Sequence, residues 1–230
     1  MEKQAERIWG SARALFHHGR IEDTLRKELP NSDLRLALMV VLVSGILLSL
    51  LSIATNIERI YMINYAIDVA SEAAVEAPPP MAFGDIAPYA IFQLLFNVPF
   101  FILFAFIYEG IVFALMKITG GEGAFAQQFY LSSLVTLAWG IASGLSLLLV
   151  FPCIDMLAAL ALTVLTLYFL LIVNVKAYGM VHRISFLHGL VVVVALLVPR
   201  FWVLITVPAI VAGLLGLPQP FGLSGVEYGI

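Results

Sequence analysis

Glu109 is the lone acid in the apolar run PFFILFAFIYEGIVFALM, two helical turns before Lys117. An ionisable group surrounded by that much hydrocarbon is costly to keep and is a functional candidate by default. Tyr130, Ser132 and Ser133 fall at a similar depth on the next apolar stretch, and Asn174 and Lys176 on the one after. A cluster of Glu109 with Tyr130, Asn174 or Lys176 has the chemistry to bind a cation, a proton or a lipid headgroup. The same groups would equally serve as a structural ion pair, or as hydrogen bonds that fix helix register, with Lys176 snorkelling to an interface.

Other constellations carry weaker chemistry. Arg200, after Pro199 and beside Trp202, reads as an interface anchor that either pairs with Asp155 or takes an anionic headgroup. His182 and His188 are six apart, which does not put two imidazoles on one helix face. With Lys176 and Arg183 they form a basic rim suited to headgroup phosphates rather than a metal site. Asp68, Glu72 and Glu76 recur every four residues along one helix face, which suits water better than a bound cation. Gln93 with Asn97, the stripe Gly45, Ser49, Ser52 and Asn56, and Gly140 with Gly144 place small or polar groups at helix-packing positions, within one chain or between two copies.

No catalytic motif is present. Gly140-Ile141-Ala142-Ser143-Gly144 has Ile141 where a GxSG serine site requires glycine, no His lies deep in a span to act as its base, and HExxH does not occur. Cys153 is the single cysteine, so no intrachain disulfide or cysteine cluster is available. No enzymatic activity and no cofactor are expected.

The elements that position these residues follow from composition. The 230 residues are 62% hydrophobic and 12% charged, with a mean hydropathy of +1.02. A water-soluble domain of this size has no way to bury so much apolar surface. The expected fold class is all-α, a polytopic membrane bundle. A net charge of −3 excludes the basic footprint of a nucleic-acid binder.

About 20 apolar residues cross the hydrocarbon core. Five spans are expected, at about Leu34–Ala54, Pro88–Met116, Phe125–Val150, Ile154–Tyr178 and Ile184–Arg200. Pro99 should kink the second. Ile184 to Leu217 would measure about 51 Å as one straight helix, more than the bilayer, so residues 201–217 are expected to be interfacial or re-entrant, a sixth span being the rival. Residues 57–77 should prolong the first helix as far as Pro78-Pro79-Pro80.

Residues 1–33 form a cytoplasmic segment in which Ile8, Trp9, Ala12, Leu15 and Phe16 make one apolar face beside Lys3, Arg7 and Arg13. That helix either lies on the leaflet or packs against the bundle. Residues 218–230 are a tail. No cleavable signal peptide is expected after Met1-Glu2-Lys3-Gln4. Lys3, Arg7, Arg13, Arg20, Arg26, Lys27, Arg35, Lys117, Lys176 and Arg183 fall on one side, and mostly acids on the other. The N-terminus is therefore expected in the cytoplasm and the C-terminus outside the cell membrane.

LMKITGGEGAF (Leu115–Phe125), the polar start QQFYLSS of the next span and VKAYGMVHRIS (Val175–Ser185) resemble the Yip family, the Ypt/Rab-interacting membrane proteins with five spans. The longer N-terminal region and DLYGP-like motif of eukaryotic members are absent, so the chain looks like a prokaryotic member. The resemblance implies a five-span fold and a role in membrane organisation through partner binding, without GTPase binding or vesicle traffic. Membrane lipids, other membrane proteins or a second copy are the expected partners. The alternative is a small ion or lipid transporter built on the Glu109 cluster.

Overall fold

A computed structural model describes residues 2–72, 83–150 and 155–217, and among these the chain is helical throughout. Two short helices open it, α1 (Glu2–Ala14) and α2 (Ile21–Glu28). α3 (Leu34–Glu72) follows, then a rod made of α4 (Phe83–Phe92), a π-helical turn Gln93–Asn97 and α5 (Val98–Ile118). α6 (Phe125–Ala142) runs on into a 3₁₀ stretch, Ser143–Val150. A second rod joins α7 (Asp155–Leu167), a π-helical turn Tyr168–Val173 and α8 (Asn174–His182), and α9 (Phe186–Leu214) ends the bundle.

Among the described residues four stretches are long and apolar enough to cross a membrane: Leu34–Ile57, Ala87–Ile118, Met156–His182 and Phe186–Leu214. They mark a multi-pass membrane protein. α6 is the exception, and its surroundings give the reason. Gln127, Gln128, Tyr130, Ser132 and Ser133 lower its hydropathy, yet twelve of its 18 residues are buried against α1, α3, α5 and α8. A helix ringed by other helices has little lipid to face and tolerates polar side chains that find partners. α9 is the opposite case and buries only Gly189, Val192, Val193 and Ala212.

The first rod widens where Pro99 suggested a kink, and the second widens at Tyr168–Val173, where the sequence suggested none. Pro99 has no N–H for the carbonyl four residues earlier, and the helix widens into the π turn immediately before it. In α9, however, Pro199 and Pro208 do not stop the helix. This corrects the expected break after Arg200: residues 201–214 continue the same helix, about 43 Å in all. A proline is tolerated in an apolar setting because neighbouring groups and local widening re-satisfy the freed backbone. α3 does extend beyond the first span, as far as Glu72.

One end of the bundle, here termed proximal, gathers α1, α2 and two turns. α1 and α2 fold back on the helices, with Ala12, Leu15, Ile21 and Leu25 fully buried. Each leucine or isoleucine removed from water this way stabilises by about 1.5–3 kcal/mol. The Tyr168 hydroxyl donates to the Leu15 carbonyl at 3.3 Å, and Phe16 meets Phe169 edge-on.

The turn after α5 closes on Gly120 at φ +95, a left-handed position that glycine adopts freely. Gly121 and Gly123 then lie flat against the end of α8. A Cβ on Gly123 would stand 2.6 Å from the Val181 carbonyl, and one on Gly121 2.7 Å from His182 Nδ1. The Glu122 N–H donates to the His182 carbonyl at 3.1 Å. Two of the three segments quoted for the resemblance, Leu115–Phe125 and Val175–Ser185, thus touch each other.

Candidate functional site

Helical spacing explains which polar groups converge. Gln128 and Ser132 are one turn apart on α6, and Tyr178 and His182 one turn apart on α8, so each pair shares a face. Both faces look toward Glu109 on α5. Its Oε1 accepts from the Ser132 hydroxyl at 2.6 Å and from the Tyr178 hydroxyl at 2.8 Å. Gln128 Nε2 donates to Glu109 Oε2 at 2.8 Å and to the Glu109 carbonyl at 2.9 Å. All four residues are buried, Glu109 at 4% exposure.

The network continues outward to His182. Because the Gln128 amide nitrogen is committed to Glu109, its Oε1 faces the imidazole and His182 Nε2 donates to it, at 2.7 Å. Nδ1 is buried with no hydrogen-bond partner among the described residues. A ring protonated on both nitrogens would place a buried N–H there without an acceptor, so the geometry fits the neutral ring.

On its other side Glu109 borders a cavity of about 20 Å³, shared with Tyr108, Ser132, Ser133, Thr136 and Arg200. That is room for about one water molecule. Arg200 lies midway along α9, and its guanidinium stacks 4.7 Å from the centroid of the Tyr108 ring. Tyr108 ends a ladder of rings, Phe92, Phe96, Phe100, Phe104 and Tyr108, stacked 5.0–6.0 Å apart along the first rod.

A second carboxylate binds the N-terminal helices down. Glu28, 3% exposed, accepts from the Ser11 hydroxyl at 2.8 Å and from the Tyr130 hydroxyl at 2.7 Å, with Arg7 Nε at 3.5 Å from Oε2.

The expected cluster is therefore rearranged. Glu109 stays central, but Tyr130 turns to Glu28 and Lys176 to Glu22, at 3.0 Å. Each lies two residues from a Glu109 partner, about 200° around its helix, and faces the other way. Asn174 does share the Tyr178 face, one turn farther along, buried and with Oδ1 unpartnered.

The expected headgroup contacts also divide. Arg183 is exposed but pairs with Glu122 at 3.1 Å. His182 is 1% exposed and belongs to the network instead. Arg200 is a mid-helix residue against Tyr108 rather than an interface anchor, because α9 does not end at Pro199. The side chains of Asp68, Glu72 and Asp155 lie outside the described set, as do Glu76 and Cys153 altogether.

Sequence reading missed Gln128, Tyr178 and Glu28. The first two carried a signal, their four-residue spacing from Ser132 and His182. Glu28 carried none, since its partners are 17 and 102 residues away. No protein-family model, curated protein or solved structure matches this chain.

Proposed function

We propose that this protein is a non-catalytic membrane scaffold of the Yip type, crossing the bilayer five times with α6 as the fifth crossing and the N-terminus in the cytoplasm. The observation that carries this reading is the state of Glu109. Its carboxylate is closed by three uncharged donors and borders a cavity of about 20 Å³. An ion or lipid pathway needs a conduit to its binding group. Gln128, the link between Glu109 and His182, is also a poor proton relay, because an amide must rearrange to pass a proton on.

Two further features support the reading. The glycine-rich turn and the end of α8, which carry the resemblance, form one docked unit at the proximal end. α1 buries Ala12 and leaves Lys3, Trp9 and Arg13 exposed, an amphipathic arrangement that suits a bundle edge at an anionic leaflet. Arg20, Arg26 and Lys27 line an open surface there, where a partner or headgroup would make contact.

Reconstituted into liposomes, the protein and its Glu109→Gln variant should both leave proton, sodium and potassium gradients intact. Flux that the variant abolishes would replace the scaffold with a transporter. Tags on the two ends should report opposite sides of the membrane; the same side would remove the five-crossing topology.

A further inference from the structure

The end of the bundle away from α1 and α2 contains a cleft of about 530 Å³ between α3, the first rod and α9. Its volume lies within the range of small-molecule sites and is many times that of a water. Ser49, Ser52, Gln93 and Asn97 line it, together with Phe101, Leu204 and other apolar side chains. Counted along their helices from the proximal end, Ser49, Ser52 and Asn97 lie about 22, 27 and 31 Å up. Ser49, Ser52, Gln93 and Asn97 all fall within the apolar spans Leu34–Ile57 and Ala87–Ile118, so a lipid in the bilayer reaches this wall.

Acyl chains alone are a poor filling for it. Gln93 is 5% exposed, and Asn97 Oδ1 is buried and accepts no hydrogen bond among the described residues. An amide oxygen left without a donor in hydrocarbon is unfavourable by kcal/mol amounts. Gln93 and Asn97, the two ends of the π turn, both line the cleft, and such turns recur at functional sites. Among the described residues no Asp, Glu, Lys or Arg lines the cleft, and its polar groups are uncharged, which suits an uncharged ligand. Two amides and the three hydroxyls of Ser49, Ser52 and Tyr89 both donate and accept, which is the complement of a polyol. The aromatic and leucine wall takes a chain.

We infer that this cleft binds an uncharged, hydroxyl-bearing lipid, a glycerol-headed or sugar-headed amphiphile, with its headgroup on Asn97 and Gln93. The inference rests on the membrane-spanning reading and not on the scaffold role.

The test uses the full chain in phosphatidylcholine nanodiscs with a photoreactive monoacylglycerol, labelled peptides being located by mass spectrometry. Labelling should fall in residues 89–101 and 204–212. Asn97→Leu and Gln93→Leu should each lower it about tenfold, and the milder Ser49→Ala/Ser52→Ala pair should lower it measurably with helix content unchanged. Unlabelled monoacylglycerol should compete, and the methyl ester of the same fatty acid should not.

Labelling unmoved by all three variants, or equal competition by the methyl ester, overturns the proposal. So does labelling that emerges only after removal of residues 218–230, which would make the chain's own tail the occupant, or a copy-to-copy crosslink through the cleft. Alkaline carbonate extraction separates the two levels. Protein that washes off membranes ends the membrane reading and the site with it, whereas protein that stays embedded but unlabelled ends the site alone.

Discussion

At the proximal end Glu28, Glu109 and Gln128 are closed in by hydrogen bonds from helices far apart in sequence, while at the distal end the amide oxygen of Asn97 faces a cleft without a partner. Both ends hold polar groups in an apolar setting, where an unmet donor or acceptor is expensive. The difference is in how the demand is met. The proximal groups use one another, which locks α5, α6, α8 and the N-terminal helices into a single arrangement. The Asn97 acceptor is left unmet by the described residues. Buried polarity by itself therefore does not identify a binding site, and the distinguishing feature is whether the protein has already satisfied it.

The largest effect that would sharpen this contrast is at Glu109. Glu109→Leu leaves the Gln128, Ser132 and Tyr178 donors without an acceptor and Arg200 without its nearby carboxylate. Thermal or detergent unfolding should show a loss of about 3 kcal/mol or more. A loss below about 1 kcal/mol would mean that the network does not hold the proximal half together.

Next in size is the docked turn. Gly123→Ala places a Cβ against the Val181 backbone and should destabilise by about 2 kcal/mol, read in the same unfolding assay. At the distal end, Gly144→Ala meets nothing within 4 Å and should stay within about 0.5 kcal/mol of wild type. Equal costs at the two glycines would erase the distinction between a tight end and an open one.

Asn97→Leu should be neutral or should stabilise the lipid-free protein by up to about 1 kcal/mol, since it deletes an unmet acceptor. A clear destabilisation would show that Asn97 is structurally satisfied, as the proximal groups are.

The smallest effect is at the exposed Glu22–Lys176 pair. The hydrogen bond and charge of Lys176 hold the Glu22 carboxyl below its ordinary value of 4.5. A lowered carboxyl contributes stability above the unfolded-state value and loses it as pH falls through the folded one. Stability should therefore decline slightly on acidification below about pH 4.5, and Glu22→Gln should flatten that slope. High salt should mask the difference, because the pair is solvent-exposed.

Composition and hydropathy determined the solvent of this chain. Runs such as Leu34–Ala54 have no stable place except lipid, and a helix is the structure that satisfies its own backbone there. Sequence also placed Glu109 at the centre of interest, because a lone acid in hydrocarbon is conspicuous without any knowledge of its neighbours. It misjudged α9, since a proline in a one-dimensional reading looks like a stop, and whether it is one depends on what surrounds the freed carbonyl.

Only the tertiary structure decided which partners Glu109 has. Tyr130 and Ser132 are two residues apart, equally deep and equally polar, yet one meets Glu28 and the other Glu109. That choice is made by the rotation of α6 about its axis, which is set by packing against α1, α3, α5 and α8 together. Rotation leaves no trace in composition or hydropathy. The distal cleft is likewise a property of three helices that fail to close, and it exists only once all three are in place.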